Sequence, residues 1–359
     1  MAINSEPSLH SHPAPSAEEL PPSDEQTPLL KPMEAVDNGT PAGIPVPGSR
    51  DDDAASSGPK RLPQAIAHRG YKVVAPENSM LAFRAAAEVG AHAIETDLHL
   101  SKDGVVVLSH DGTLKRCFGE DTKVKDRDWK YLSTLRTVRK PAQPMPRLLD
   151  LLEYLNQPGL EHVWVMLDIK RDDDPTEIIR RTAETIASVK GIRPWSERIL
   201  PCCWTAQYIK LCKEFLPGFP IAHVGGSHPY ARALAEKIPG LHISFFTCAL
   251  AVPGAGPRFV RDMKRAGHPL YAWTVNDEAW MAWSIRQKLD GVITDDPKLF
   301  LEVCGRAAAT ASRPSLGPRR AARELYTWAM YCFFTVLMSA IYFYRWGLPR
   351  KSVRKTLES

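Results

Sequence analysis

Between Gln64 and about Val303 the chain alternates short apolar runs with helix-like segments. The runs are QAIAH, AIETDLHL, VWVMLDIK, RILPCCW, IAHVG, HISFFT, LYAWTV and GVITDD. Several are hydrophobic at nearly every position, as parallel strands covered on both faces are. Between them lie the helix candidates SMLAFRAAAEVG, LLDLLEYLNQ, PTEIIRRTAETIASVK, TAQYIKLCKEF, PYARALAEKI, GPRFVRDMKRAG and DEAWMAWSIRQK. Eight strands alternating with helices over roughly 240 residues predict an α/β fold, a closed (β/α)8 TIM barrel. A doubly wound open sheet is the competing architecture, but the chain lacks a Gly-rich dinucleotide fingerprint. One unit breaks the rhythm. After the second strand comes a further short one, VVVLSHD, then a polar, basic stretch from Gly112 to Arg147. On a barrel such a small insertion lies over the active-site mouth.

The pattern changes at both ends. The first 60 residues are poor in aromatics and rich in Pro, Ser, Ala and Asp. They bury too little apolar surface to offset chain ordering, so a disordered tail is expected. No apolar run of the signal-peptide kind occurs there. EQTPLL, Glu25 to Leu30, fits a loose acidic-dileucine sorting pattern that arises often by chance. At the other end, Leu325 to Tyr344 runs without a charge. As a helix it would extend about 30 Å, roughly the hydrocarbon thickness of a bilayer. Arg319, Arg320 and Arg323 precede it, while Arg345, Arg350, Lys351, Arg354 and Lys355 follow. Trp328 and Trp346 stand near its ends, as interfacial anchors do. The plan is then a tail (1–60), a barrel (61–305), a basic linker (306–324), a transmembrane or membrane-inserted helix (325–344) and a basic tail (345–359). Such a chain is expected on an endomembrane such as the endoplasmic reticulum, a lipid droplet or the mitochondrial surface, with its barrel facing the cytosol.

Composition narrows the function classes. A length of 359 residues supplies ample material for a core. A formal net charge of +5 is mild at this length and gives no case for nucleic-acid binding. Cys117, Cys202, Cys203, Cys212, Cys248, Cys304 and Cys332 form no metal-type or disulfide-framework spacing. They read as reduced thiols, and the Cys202–Cys203 pair, inside an apolar run, reads as core.

The strand ends carry the chemistry. His68 and Arg69 follow the first strand. Glu95 and Asp97 stand two apart on the second, so their side chains share a face. His110 and Asp111 close the extra strand, and Asp168 and Lys170 repeat the two-residue spacing on the third. A barrel brings all these ends to one rim. Three carboxylates pressed together repel one another unless a cation joins them. Glu95, Asp97 and Asp168 therefore suggest an oxygen-ligated divalent cation, Mg2+ or Ca2+, rather than zinc. His68 and His110 suit general acid–base work near neutral pH, and Arg69 and Lys170 can hold anionic oxygens. Together these describe phosphodiester cleavage. Each residue has a plainer reading: a lone strand-end His is usually structural, and Arg69 could simply pair with Glu95. Asn78 and Ser79 read best as a turn and helix cap, and His92, His223, His242 and His268 as structural.

The motifs AHRG…PENS, GAHAIETDLHLSKDGVVVLSHD, VMLDIK, YAWTVN and DGVITDDP resemble the glycerophosphodiester phosphodiesterase family across nearly the whole ordered region. With the C-terminal apolar segment, IETDL, MLDIK, WTVN and ITDDP most resemble its fungal phosphatidylglycerol phospholipase C branch. The resemblance implies a (β/α)8 barrel with a divalent metal. By motif position it makes His68 and His110 the acid–base pair and Glu95, Asp97 and Asp168 the metal ligands. It puts Arg69 and Lys170 on phosphate and adds Trp273 on the substrate. The wider family usually has Glu where Asp168 stands, and PENS replaces the commoner Pro-Glu-Asn-Thr. The expected activity is hydrolysis of phosphatidylglycerol to diacylglycerol and glycerol phosphate at a membrane surface. The alternative is cleavage of soluble deacylated phospholipids or lysophospholipids.

Overall fold

The computed structural model describes residues 43–46, 61–309 and 349–358. Nine strands form among these residues: β1 (Gln64–His68), β2 (Ala93–Leu100), β3 (Val106–Leu108), β4 (Trp164–Ile169), β5 (Ile199–Cys203), β6 (Ala222–Gly225), β7 (His242–Phe246), β8 (Leu270–Trp273) and β9 (Gly291–Thr294). Eight run parallel in the order β1-β9-β8-β7-β6-β5-β4-β2, and pairing of β1 with β2 closes the barrel. The short β3 lies antiparallel to the outer end of β2, along the edge that β1 leaves. β2, β4 and β5 are buried at every position, which is why their sequences show no polar alternation outside the acidic residues.

The helices are α1 (Met80–Glu88), α2 (Lys115–Phe118), α3 (Trp129–Leu132), α4 (Leu148–Leu155), α5 (Pro175–Ser188), α6 (Ala206–Phe215), α7 (His228–Ala235), α8 (Thr247–Ala251), α9 (Ala255–Arg265), α10 (Glu278–Arg286), α11 (Pro297–Ala309) and α12 (Pro349–Glu358). The main core lies between strands and helices. A second apolar cluster fills the barrel interior, with Ile66, Trp164, Met166, Leu200, Tyr271 and Ile293 among its members. The insertion from Gly112 to Arg147 carries α2 and α3 and a small core of its own, built on Val107, Leu114, Val124, Leu132, Leu135 and Met145. That satellite core makes it a fixed wall of the mouth.

Two findings revise the expected ends of the chain. Within the tail expected to be disordered, residues 43–46 pack against the floor of the barrel, where the strands begin. Gly43 O accepts from Gln64 Nε2 at 2.9 Å, and Ile44 packs on the interior cluster. The basic tail forms α12, which packs on α6 and α7 with Val353 buried and Leu357 against the core. The segment Leu325 to Tyr344 lies outside the described residues. Among the described residues no helix is long and apolar enough to cross a membrane.

Arg198, 1% exposed, ties the floor between two units. Its Nη2 donates to the carbonyls of Leu155, Leu160 and Val163 at 2.8–2.9 Å, and its Nε to Val163 O at 3.1 Å. It thereby satisfies the open C-terminal end of α4, a favourable place for a cation. Arg198→Met keeps the apolar stem and strands these acceptors. The expected loss is about 3 kcal/mol of stability. Thermal melting checks this: a melting temperature equal to wild type would remove Arg198 from the account.

Candidate active site

The first turn at the mouth explains the His-Arg-Gly triplet. The chain must reverse immediately after β1, and it does so with Arg69 at φ 58° and Gly70 at φ 79°. A Cβ on Gly70 would lie 2.7 Å from the Ala82 side chain, so only Gly fits. The left-handed Arg69, uncommon for a non-Gly residue, points its backbone N–H at Glu95 Oε2, 2.9 Å away. The same register sets His68 beside Glu95 and Asp97 beside Asp168.

Glu95, Asp97 and Asp168 are all buried, with ligand oxygens within 4.8 Å of one another. Lys170 Nζ lies 2.6 Å from both Asp97 Oδ1 and Asp168 Oδ2. Arg69 Nε lies 3.3 Å from Asp97 Oδ2, and Trp204 Nε1 donates to Asp168 Oδ1 at 2.7 Å. Burial pushes the Asp97 carboxyl up, but Lys170 and Arg69 outweigh it and hold the group below the usual carboxylate range. At Glu95 the same two cations pull downward but do not prevail. Burial, with Asp97 and Asp168 beside it, drives its carboxyl well above the usual value. With all three carboxylates ionised the cluster would carry more negative charge than Lys170 and Arg69 neutralise, and its donors are all oxygen. Those properties fit a hard divalent cation held by Glu95, Asp97 and Asp168.

Both candidate acid–base histidines are oriented by carboxylates. His68 Nδ1 lies 2.6 Å from Asp295 Oδ1 and His110 Nδ1 lies 2.8 Å from Asp111 Oδ1. A carboxylate only accepts, so each Nδ1 carries the proton and each Nε2 is left for the pocket. Burial lowers the pKa of His68, against the pull of Asp295. Burial also lowers that of His110. Asp295 is itself held by Lys72 and Asn276, which keep it from swinging away.

His68, Arg69, Glu95, Asp97, His110, Asp168, Lys170 and Trp273 all line one pocket. Its far wall is apolar: Trp204, Val224, Trp273 and Ile293. Trp204 and Trp273 meet edge to face at 6.1 Å, and Phe246 backs Trp273 at 5.2 Å. The buried Nε1 of Trp273 has no acceptor among the described residues. The pocket can thus take an anionic group on one side and a carbon skeleton with hydroxyls on the other.

A family model, the glycerophosphoryl diester phosphodiesterase family, matches residues 68–299. The chain belongs to this family. Its members are hydrolases of phosphoric diesters, and the activity is that of a phosphodiesterase. A glycerophosphodiester phosphodiesterase of Caldanaerobacter subterraneus is 28% identical, over 66% of this chain and 96% of its own. A probable glycerophosphodiester phosphodiesterase 2 of Mycobacterium tuberculosis is 31% identical, over 67% and 89%. The crystal structure of an Oleispira antarctica phosphodiesterase, solved with the product sn-glycerol-3-phosphate, aligns at a TM-score of 0.60. It is 24% identical and covers 68% of this chain and 97% of its own, a likeness of fold.

Several residues at this site escape a reading of strand ends. Asp295 sits in the quoted ITDDP run, yet only folding shows it against His68. Asn78, expected as a turn residue, donates to Asp97 Oδ2 at 2.8 Å and accepts from Thr96 Oγ1 at 2.8 Å. It therefore orients a candidate metal ligand. Ser79 is the cap of α1, accepting from Ala82 N. Arg116, on the insertion, donates to Glu77 at 2.8 and 2.9 Å and to Asp111 at 2.6 Å. Glu77 in turn accepts from Arg69 Nη1 at 2.8 Å. A chain of charge thus runs His110–Asp111–Arg116–Glu77–Arg69, joining the two sides of the mouth. His223 and His268 donate to backbone carbonyls, His242 meets Tyr271, and His92 accepts from Ala65 N, all away from the pocket. Cys202 lines the pocket as a buried thiol whose pKa burial drives well up.

Two outcomes follow from this geometry. Asp97→Asn and Glu95→Gln should abolish turnover while leaving the circular dichroism spectrum and melting cooperativity intact. Chelator should silence the wild type, and Mg2+ or Ca2+ should restore it; full activity in excess chelator would exclude the cation. The second outcome concerns acid. Burial pushes the Glu77 carboxyl up, yet Arg116 and Arg69 bring it down from 4.5 to about 2. A depressed folded-state pKa gives stability that is present above 4.5 and lost as pH falls toward 2. The loss is about 3 kcal/mol. Denaturant titrations between these pH values should show wild type losing that much more than Glu77→Gln; parallel curves would contradict the assignment.

Proposed function

We propose that this chain hydrolyses glycerophosphodiesters bearing a free glycerol unit, releasing glycerol phosphate. The observation that carries the reading is the pair of imidazoles, each held at Nδ1 by a carboxylate and each facing the three-carboxylate cluster. The glycerol hydroxyl next to the phosphate-bearing carbon is the nucleophile. One imidazole Nε2, of His68 or His110, takes its proton as it attacks phosphorus, and the other gives a proton to the departing alcohol oxygen. Arg69 and Lys170 hold the phosphoryl oxygens and offset charge that grows on them. The nucleophile is tethered to the phosphate, so attack gains from proximity. It forms a cyclic glycerol phosphate, which water opens as the histidines exchange roles. A bound Mg2+ or Ca2+ supplies electrostatic stabilisation of the phosphoryl group. Trp273 offers its unpartnered N–H to a glycerol hydroxyl, and Trp204 covers the carbon skeleton.

The relatives' names support water-soluble glycerophosphodiesters over intact phosphatidylglycerol. The product bound to the Oleispira enzyme supports glycerol phosphate as the product released. Phosphatidylglycerol remains the second reading, favoured by the charge-free segment Leu325 to Tyr344, since a lipid substrate rewards residence at a surface. Side-by-side assays on glycerophosphocholine, glycerophosphoglycerol and phosphatidylglycerol vesicles test both. Turnover of the deacylated diesters is expected; cleavage confined to the vesicles would replace the first reading with the second. An analogue lacking the neighbouring hydroxyl should bind without turnover. Its cleavage at a comparable rate would overturn the cyclic route and leave the phosphodiesterase reading standing.

A further inference from the structure

We infer that His99 is a positioning residue: it clamps the backbone of His110 to the loop between β4 and α5 and thereby fixes where the His110 imidazole stands. The inference rests on the reading of His110 as an acid–base group.

His99 follows Asp97 by two on β2 and so shares its face, one step nearer the mouth. It is 1% exposed. Its Nδ1 lies 2.9 Å from Oδ2 of Asp173, in the β4–α5 loop, and its Nε2 lies 3.3 Å from His110 O. A carboxylate and a carbonyl only accept, so His99 donates from both ring nitrogens, with Asp173 as the counter-charge. Asp173 is fixed in turn, since its buried Oδ2 also accepts from Leu100 N at 3.3 Å. His99 thus joins the end of β2, the β4–α5 loop and the first turn of the insertion. His223 and His268 differ: each donates to a carbonyl away from the pocket, which is a packing role.

The clamp matters because the other tether of His110 is open to water. The ring is held through Asp111, and Asp111 through Arg116, whose side chain is half exposed. Exposed ion pairs hold geometry weakly. Close packing does not hold the turn either. A cleft of about 140 Å³ opens beside it, lined in part by His99, Gly112, Lys123 and Asp172. The turn depends instead on directed bonds, from Ser109 N to Asp97 O at 3.1 Å before His110 and from His99 Nε2 to His110 O at the residue itself. Proton transfer needs hydrogen-bond reach, and a misplacement of about 1 Å costs roughly 100-fold in rate.

Two substitutions separate the two bonds of the ring. The amide nitrogen of Asn stands near the place of Nδ1, and that of Gln near the place of Nε2. His99→Asn therefore keeps Asp173 and releases His110 O, while His99→Gln does the reverse. On glycerophosphocholine with saturating Mg2+, His99→Asn should lower kcat about ten- to a hundredfold with KM within about twofold. His99→Gln should recover most of that loss. Asp173→Ala, which frees the ring at its other anchor, should reproduce the fall in kcat with KM kept. Hydrogen exchange at residues 109–113 should show protection lost in His99→Asn and kept in His99→Gln. Equal loss of kcat in the Asn and Gln variants, a change confined to KM, or unchanged protection in His99→Asn overturns the inference. Wild-type activity in His110→Ala overturns the acid–base reading and with it the catalytic consequence of the clamp. Exchange needs no turnover, so it reports the hold of His99 on the turn separately from that reading.

Discussion

Three carboxylates buried within 4.8 Å of one another set the terms for the whole mouth. No arrangement of apolar packing makes that tolerable; it takes cations. Lys170 and Arg69 supply two, on residues that the register of β1, β2 and β4 brings to the same rim. The barrel is what converts a two-residue spacing on separate strands into one cluster. The left-handed turn at Arg69 and Gly70 is what leaves room for it.

From that cluster the rest of the site follows outward. Arg69 is held by Glu77, Glu77 by Arg116, and Arg116 reaches back to Asp111 and His110. The insertion, which in sequence is only a basic interruption, contributes the guanidinium that ties both sides of the mouth together. On the opposite side Asp295 fixes His68, with Lys72 and Asn276 fixing Asp295. Each group that would handle a proton or a phosphate is positioned by a second charge, and few have rotational freedom left.

Much of this was legible in the chain. Strands buried on both faces leave continuous apolar runs, so β2, β4 and β5 announce themselves, and polar residues near their mouth ends stand out. A period of two shows which residues share a rim. It does not show which loops fold over that rim. Hence Asp295 was visible as part of a motif and not as the partner of His68, Asn78 looked like a turn, and Arg116 was one basic residue among many. The packed parts of the two ends were hidden for another reason. Composition measures average burial, and the packing of Gly43, Ile44 and Pro45 or one docked face on α12 hardly moves that average.

The account's central claim is that the carboxylate cluster is completed by a divalent cation, and the melting temperature as a function of free Mg2+ or Ca2+ tests it most directly. A ligand that binds only the folded state stabilises it in proportion to the logarithm of its concentration above the dissociation constant. The wild-type melting temperature should rise in that manner, and that of Glu95→Gln should rise far less. A wild-type melting temperature indifferent to millimolar Mg2+ and Ca2+ would contradict the account.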